Sequence, residues 1–369
     1  MRRALLLLVA ATQALRGPTH RCQPLTTVRA TALDRIDSAV DATLNRTRSW
    51  GPVRQAAVVA AAYAAHAGPL ARGALLLPVQ LIPNEFGLWQ SVGYDSMLGG
   101  VFVGLHVLRR CKGTSRTRAL PPPPHIGKRA LVATVGALAV AYRWSGYVAM
   151  LVDEFVYRAT PAATPAMGRA LQVLGGHVAW LVVGVAVLAL VPALELKEGR
   201  LRWNREKATS WYRFDLKTDW LWWVAGGYCA SALIFNIADG LNHFLVPPSL
   251  FDDDTLVTRM VNPDAGRGIA SILVGGIAPC FTAPWWEEVL YRGFSLRALQ
   301  RLVGRADVAA VASSLVFAAH HLSLTAALPL AALGATWSYL YLASGNLLVP
   351  VAIHALWNAR VFAGTVLGL

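Results

Sequence analysis

Between Ala130 and Leu367 the chain carries long apolar runs near Ala130–Leu151, Ala170–Ala193, Trp220–Ile237, Ile269–Trp286, Val308–Leu322, Thr325–Leu342 and Leu347–Leu367. Each is roughly 15–24 residues long, close to what a helix needs to cross the ~30 Å hydrocarbon core of a bilayer. Lipid offers the backbone no hydrogen bonds, so a spanning segment must be a helix or part of a closed barrel. The runs are continuous rather than alternating, which selects helices. The expected fold is all-α, a polytopic membrane protein of about seven to nine transmembrane helices. Composition agrees: at 55% hydrophobic and 15% charged residues, with mean hydropathy +0.45, there is too little charge to cover a soluble protein of this length.

The net charge of +14 could point to nucleic acid or to membrane topology. Lys and Arg lie in short segments between apolar runs, as the positive-inside rule expects, so membrane lipids are the expected partner and nucleic acid is not. Loops 109–129, 195–218 and 292–305 are basic, whereas 237–267 contains Asp252-Asp253-Asp254. The three basic loops are therefore expected on one side. Cys22, Cys111, Cys229 and Cys280 show no CxxC spacing, and neither a disulfide framework nor a zinc ribbon is expected.

Met1-Arg2-Arg3 followed by the apolar Ala4–Ala11 has the form of a signal peptide, too short to span. Leu15 to Ala32 is rich in Arg, Thr and Pro and lacks acidic residues, the composition of a transit peptide. Residues 1–32 are expected to be a targeting segment, with a plastid membrane favoured as destination and the endoplasmic reticulum membrane as the alternative. Asn45-Arg46-Thr47 is a glycosylation sequon. Residues 33–129 hold a polar stretch from Asp34 to Arg54, weak apolar segments at Gln55–Ala67, Leu70–Ile82 and Met97–Leu108, and a basic loop stiffened by Pro121–Pro124. Residues 130–369 are expected to form the membrane domain.

Polar residues inside the late apolar runs are costly, roughly 2.5–3.5 kcal/mol for a carboxylate near a bilayer centre, and so default to function. Three such islands occur. Glu287-Glu288 with Arg292 closes the run that begins at Ile269. If the helix continues, Glu288 and Arg292 share a face and can pair, while Glu287 points about 100° away and is left free. Phe317 and His321 stand four apart in the second island, and His354 and Asn358 four apart in the third. Each alone has a structural explanation, a buried polar group with a partner. Together they would be costly to bury without a shared cavity.

The residue types suggest hydrolysis. There is no GxSxG elbow and no cysteine beside the islands, so water is the expected nucleophile. A buried Glu suits proton transfer from water to a leaving amine, and His354 and Asn358 could supply donors to an oxyanion. A metal held by His321, His354 and a Glu is the alternative, but HExxH is absent and three separate helices would have to contribute. No metal and no cofactor are expected.

The three islands resemble the motifs of the CAAX-processing and bacteriocin-processing membrane proteases, to which the type II CAAX prenyl endopeptidases belong. EExxxR reads Glu287-Glu288-Val289-Leu290-Tyr291-Arg292, FxxxH reads Phe317-Ala318-Ala319-His320-His321, and HxxxN reads His354-Ala355-Leu356-Trp357-Asn358. The resemblance covers roughly residues 215–365 and implies an intramembrane endopeptidase. In it, Glu287 activates water with help from His321, His354 and Asn358 form the oxyanion hole, and Glu288 and Arg292 position the first carboxylate. The implied partner is a protein or peptide substrate, with a prenylated CAAX protein losing its last three residues in the eukaryotic branch. His320 beside His321 leaves open which imidazole faces the site. The rival is a non-proteolytic membrane scaffold or receptor with the same fold, for example in a plastid membrane, which the loss of a Glu or His would have favoured.

Overall fold

The computed structural model describes residues 27–70, 94–114, 117–118, 120–159, 165–197, 200–204, 210–251 and 268–367. Most of the targeting segment, the apolar stretch Leu70–Ile82 beyond its first residue, and Asp252-Asp253-Asp254 lie outside the described residues. Helices α1 (Thr27–Thr47), α2 (Pro52–Leu70), α3 (Tyr94–Cys111), α4 (Lys128–Ala159), α5 (Pro165–Leu190) and α6 (Leu221–Leu245) precede the site-bearing part. It consists of α7 (Ile269–Val303), α8 (Ala306–His320), α9 (Ala327–Ser344) and α10 (Leu348–Leu367). Among the described residues four helices, α4 to α7, are long and apolar enough to cross a membrane, and α8 and α10 contribute shorter apolar helices. The chain is an all-α, multi-pass membrane protein.

One small departure from helix is an antiparallel hairpin, β1 (Leu194–Lys197) with β2 (Arg200–Trp203), in register Leu194↔Trp203. Its Leu-Glu-Leu-Lys and Arg-Leu-Arg-Trp segments alternate apolar and charged residues, the period of a strand.

Lipid is as apolar as leucine, so these helices associate through close packing and interhelical hydrogen bonds rather than apolar burial. At Gly184 on α5 an added Cβ would lie 2.3 Å from the Trp286 ring on α7, so only glycine lets that fully buried indole seat there. Trp180 meets the same indole edge-on at 5.1 Å.

The three basic loops do meet at one end of the bundle. Arg118 pairs with Asp215 at 3.0 Å, and Arg297 Nη2 donates to the Pro121 and Pro122 carbonyls at 2.7 and 3.1 Å. Asn346, between α9 and α10, accepts from the Asp215 N–H and donates to the Asp215 carbonyl. Arg297 lies ten residues beyond Glu287, roughly 15 Å along a helix, which sets the glutamates below this basic face.

The N-terminal helices pack onto this bundle. The α1 stretch expected only to be polar is a helix whose Asp34, Asp37 and Asp41 share one face. They pair with Lys112 and Arg109 at the end of α3: Arg109 with Asp37, Arg109 with Asp41 at 2.8 Å and Lys112 with Asp34 at 2.6 Å. From α2, Gln55 Oε1 accepts the N–H groups of Trp220 and Leu221, capping the start of α6 from another helix. Tyr63 Oη donates to the Leu356 carbonyl on α10 at 3.0 Å. Thr47 of the sequon is buried, and its Oγ1 accepts from Trp222 Nε1 at 2.8 Å. Cys111 is disulfide-bonded, while Cys229 and Cys280 are free, so a single bond is present although the cysteine spacing indicated no disulfide framework.

Candidate active site

The helix carrying the glutamates does not end at Trp286, where the apolar run stops. It continues to Val303 because Val289, Leu290, Tyr291, Phe294, Leu296 and Ala298 are all buried against neighbouring helices. Two π-helical segments interrupt it, Ala278–Thr282 and Val289–Ser295, on either side of the α-helical turn Ala283–Glu288. Such wide turns recur at functional sites because they redirect side chains without breaking the helix. At its end Gly304, with φ +72°, takes the left-handed conformation that stops it.

Glu288 is fully buried and its Oε1 is shared by two partners. Arg292 Nη1 donates to it at 2.7 Å, and His354 Nδ1 lies 2.9 Å from it. Arg292 is also fully buried; its Nη2 donates to the Gly334 carbonyl at 3.1 Å, and its guanidinium lies 4.6 Å from the Phe317 ring centroid and 5.3 Å from that of Trp337. Gly334 lets α9 approach closely here: a Cβ would meet Arg292 Nη2 at 3.3 Å and Ser314 Cβ at 3.0 Å, so these neighbours would have to shift to admit one. The carboxylate, the carbonyl and the two aromatic faces offset much of the cost of burying this charge, while Arg292 Nε has no hydrogen-bond partner.

Glu287 is different. Its side chain keeps 16% exposure and its Oε2 makes no hydrogen bond. His354 Nε2 stands 3.9 Å from that oxygen, an ion-pair distance too long for a hydrogen bond. His354 therefore sits between the two carboxylates, bonded to Glu288 through one nitrogen and facing Glu287 with the other. The Trp337 ring lies against its imidazole at 4.3 Å, and Phe317 meets it edge-on at 6.0 Å.

His321 and His320 diverge, as neighbours on a helix must. The His321 ring packs on Phe317 at 4.8 Å, and its Nδ1 lies 2.8 Å from the Phe317 carbonyl. A carbonyl only accepts, so Nδ1 carries the proton and Nε2 presents a lone pair. His320 instead lies between Tyr142 at 4.7 Å and Tyr291 at 6.1 Å, with its Nε2 buried and unpartnered. Phe317 thus carries His321, His354 and Arg292 around one ring.

Asn358 lies one turn beyond His354 on α10, and its Nδ2 donates to the Pro279 carbonyl in the first π segment at 2.9 Å. The structure accordingly brings Glu287, Glu288, Arg292 and His354 into direct ionic contact, joins His321 to them through Phe317, and bonds Asn358 to the backbone of α7. Sequence reasoning missed Gly334 and Trp337 on α9, which enclose the ion pair. An apolar run with no charge carries no signal for them. Among the described residues no group of three or more His, Cys, Asp or Glu side chains is arranged to hold a metal ion.

Residues 269–360 match the family model of the Rce1-like type II CAAX prenyl endopeptidases. This segment is similar to that family's domain. The matched stretch holds every candidate residue from Glu287 to Asn358 and begins where α7 does. No curated protein and no solved structure matches the chain. The similarity to Rce1-like endopeptidases and the chain's apolar helices support a membrane protease as the coarse functional class.

Proposed function

We propose that the chain is an intramembrane endopeptidase in which Glu287 activates water for attack on a peptide bond of a membrane-anchored protein. The observation that carries this is the unequal environment of two adjacent carboxylates. Glu288 is held through Oε1 by both Arg292 and His354, although its Oε2 has no hydrogen-bond partner, whereas Glu287 Oε2 is likewise unpartnered and its ion-pair neighbour, His354 Nε2, stands 3.9 Å away. A carboxylate held by two cationic partners orients them; one so loosely held can take a proton.

In the proposed reaction, Glu287 takes a proton from water as the oxygen adds to the scissile carbonyl carbon. His321, with its Nε2 lone pair, holds that water. The tetrahedral oxyanion is met by His354, which is held at Nδ1 by Glu288 and turns Nε2 toward Glu287. Collapse breaks the carbon–nitrogen bond, and Glu287 returns its proton to the leaving amine. Glu288 and Arg292 touch no substrate and act by fixing His354.

A lipid-modified substrate is supported by a mainly apolar cavity of about 350 Å³ beside the glutamate turn. Leu188, Trp203, Tyr212, Phe214, Trp285 and Val289 are among its lining residues, and Trp285 and Val289 flank Glu287 and Glu288 in sequence. The purified protein, offered farnesylated and unmodified versions of one CAAX peptide, is expected to release the C-terminal tripeptide from the farnesylated form, read by mass spectrometry. Equal cleavage of both would remove prenylation from the proposal. No cleavage of either by folded protein would favour a scaffold. The Arg-, Thr- and Pro-rich, acid-free stretch Leu15–Ala32 supports a plastid membrane as the working location, which imaging of a fluorescent fusion tests.

A further inference from the structure

We infer that Tyr63 and Asp95 are positioning residues for the proposed reaction: they hold the back of α10, the helix whose front presents His354 and Asn358 to α7. The kinetic part of this inference rests on the proteolytic reading, and the structural part does not.

The periodicity of α10 sets the arrangement. His354 and Asn358 stand four apart on one face, and Leu356 and Arg360 stand four apart on another. The two pairs are offset by two residues, about 200° of helical rotation, so they lie on nearly opposite sides. His354 Nδ1 lies 2.9 Å from Glu288, and Asn358 Nδ2 donates to the Pro279 carbonyl, so the first face is turned to α7. The second face is gripped from the N-terminal helices. Tyr63 Oη on α2 donates to the Leu356 carbonyl at 3.0 Å, and Arg360 Nη1 pairs with Asp95 in the first turn of α3. A carbonyl in an α-helix points toward the residue four places on, so the Leu356 oxygen and Arg360 mark one spot on α10 and the two grips converge there.

Asp95 is itself fixed. It is buried, and its Oδ1 accepts the Ser96 N–H at 2.8 Å while its Oδ2 meets Arg360. Ser96 Oγ accepts from Asn236 on α6 at 2.7 Å, and the far end of α3 is clamped to α1 through Arg109. Tyr63 meets Tyr228 of α6 edge-on at 6.0 Å. Both residues precede the segment that matches the family model, so the N-terminal region reaches the site without contributing a reacting group.

The use of charge here has a physical reason. A buried ion pair adds little net stability over apolar residues of similar volume, so packing alone does not call for one. Lipid gives packed helices no apolar driving force toward one register, and an ion pair with a tyrosine bond beside it supplies that register. His354 has to keep one nitrogen on Glu288 and the other 3.9 Å from Glu287 Oε2, and a rotation of α10 moves both.

The test replaces the ion pair by apolar residues, Asp95→Leu with Arg360→Met, in full-length protein in detergent. The readouts are kcat and KM for a cleaved peptide, the unfolding midpoint, and amide hydrogen exchange across residues 354–360. A pair that only stabilises the fold leaves kcat and local exchange of this variant at the wild-type level once the apolar residues fill its place. The inference instead expects the midpoint to be held while kcat falls about tenfold with KM changed less than about twofold, the signature of a misplaced group. Exchange across 354–360 is expected to rise at least about fivefold. Tyr63→Phe keeps the ring and removes one hydrogen bond; it serves if the double variant does not fold, and is expected to lower kcat about threefold. Wild-type kcat with unchanged exchange, in Tyr63→Phe or in the folded double variant, overturns the inference. Should wild type cleave no peptide, the proteolytic proposal fails on that arm, while exchange across 354–360 still decides the grip.

Discussion

Nδ1 of His354 lies 2.9 Å from the Glu288 oxygen that also accepts from Arg292, so one buried carboxylate holds both the histidine of α10 and the arginine of its own helix. Removing that charge leaves Arg292 buried and unpaired, a change that costs roughly 3–5 kcal/mol in comparable pairs. Glu288→Gln is accordingly expected to lower the unfolding midpoint severely or prevent folding, whereas Glu287→Gln keeps the fold. Thermal unfolding of both variants in detergent checks this, and a Glu288→Gln protein as stable as wild type would contradict the assigned hub.

The doubled histidine yields a ranking. His321 offers an Nε2 lone pair from a ring seated on Phe317, while His320 is wedged between Tyr142 and Tyr291. His321→Ala is expected to cost about 10²-fold in kcat, the usual scale of proton-transfer assistance, and His320→Ala less than tenfold. The reverse order would move the role to His320.

Leu322, just past His321, has φ +52° and is 86% exposed. A left-handed conformation costs a non-glycine residue roughly 1–2 kcal/mol, and this side chain has almost no packing to lose. Part of the relief is offset by glycine's greater freedom in the unfolded chain. Leu322→Gly is expected to raise the unfolding midpoint by an amount equivalent to ~0.5–1 kcal/mol. A lowered midpoint would show that the conformation is not strained.

How much of this was legible in the sequence depends on which force wrote it. Helices α4 to α10 announce themselves because lipid demands continuous apolar length, and their observed starts lie close to those of the runs, although α4, α6 and α7 continue well beyond the runs' ends. The pairing of Glu288 with Arg292 followed from a spacing of four. The extension of α7 to Val303 did not, because Arg292 and Arg297 look like the end of a span until their buried partners are known. Nor did the clamp of α1, although Asp34, Asp37 and Asp41 already share a helical face in the sequence. The bond from Asn358 to the Pro279 carbonyl was hidden most deeply, because a side chain bonded to a backbone oxygen leaves no pattern of paired side chains.

The measurement that bears most directly on the central claim is cleavage of a farnesylated CAAX peptide by wild type and Glu287→Ala, each with and without a chelator. The account predicts that folded Glu287→Ala loses cleavage by at least 10²-fold and that chelator leaves wild type unchanged. Wild-type activity retained by Glu287→Ala would contradict it, because Glu287 would then not be the base.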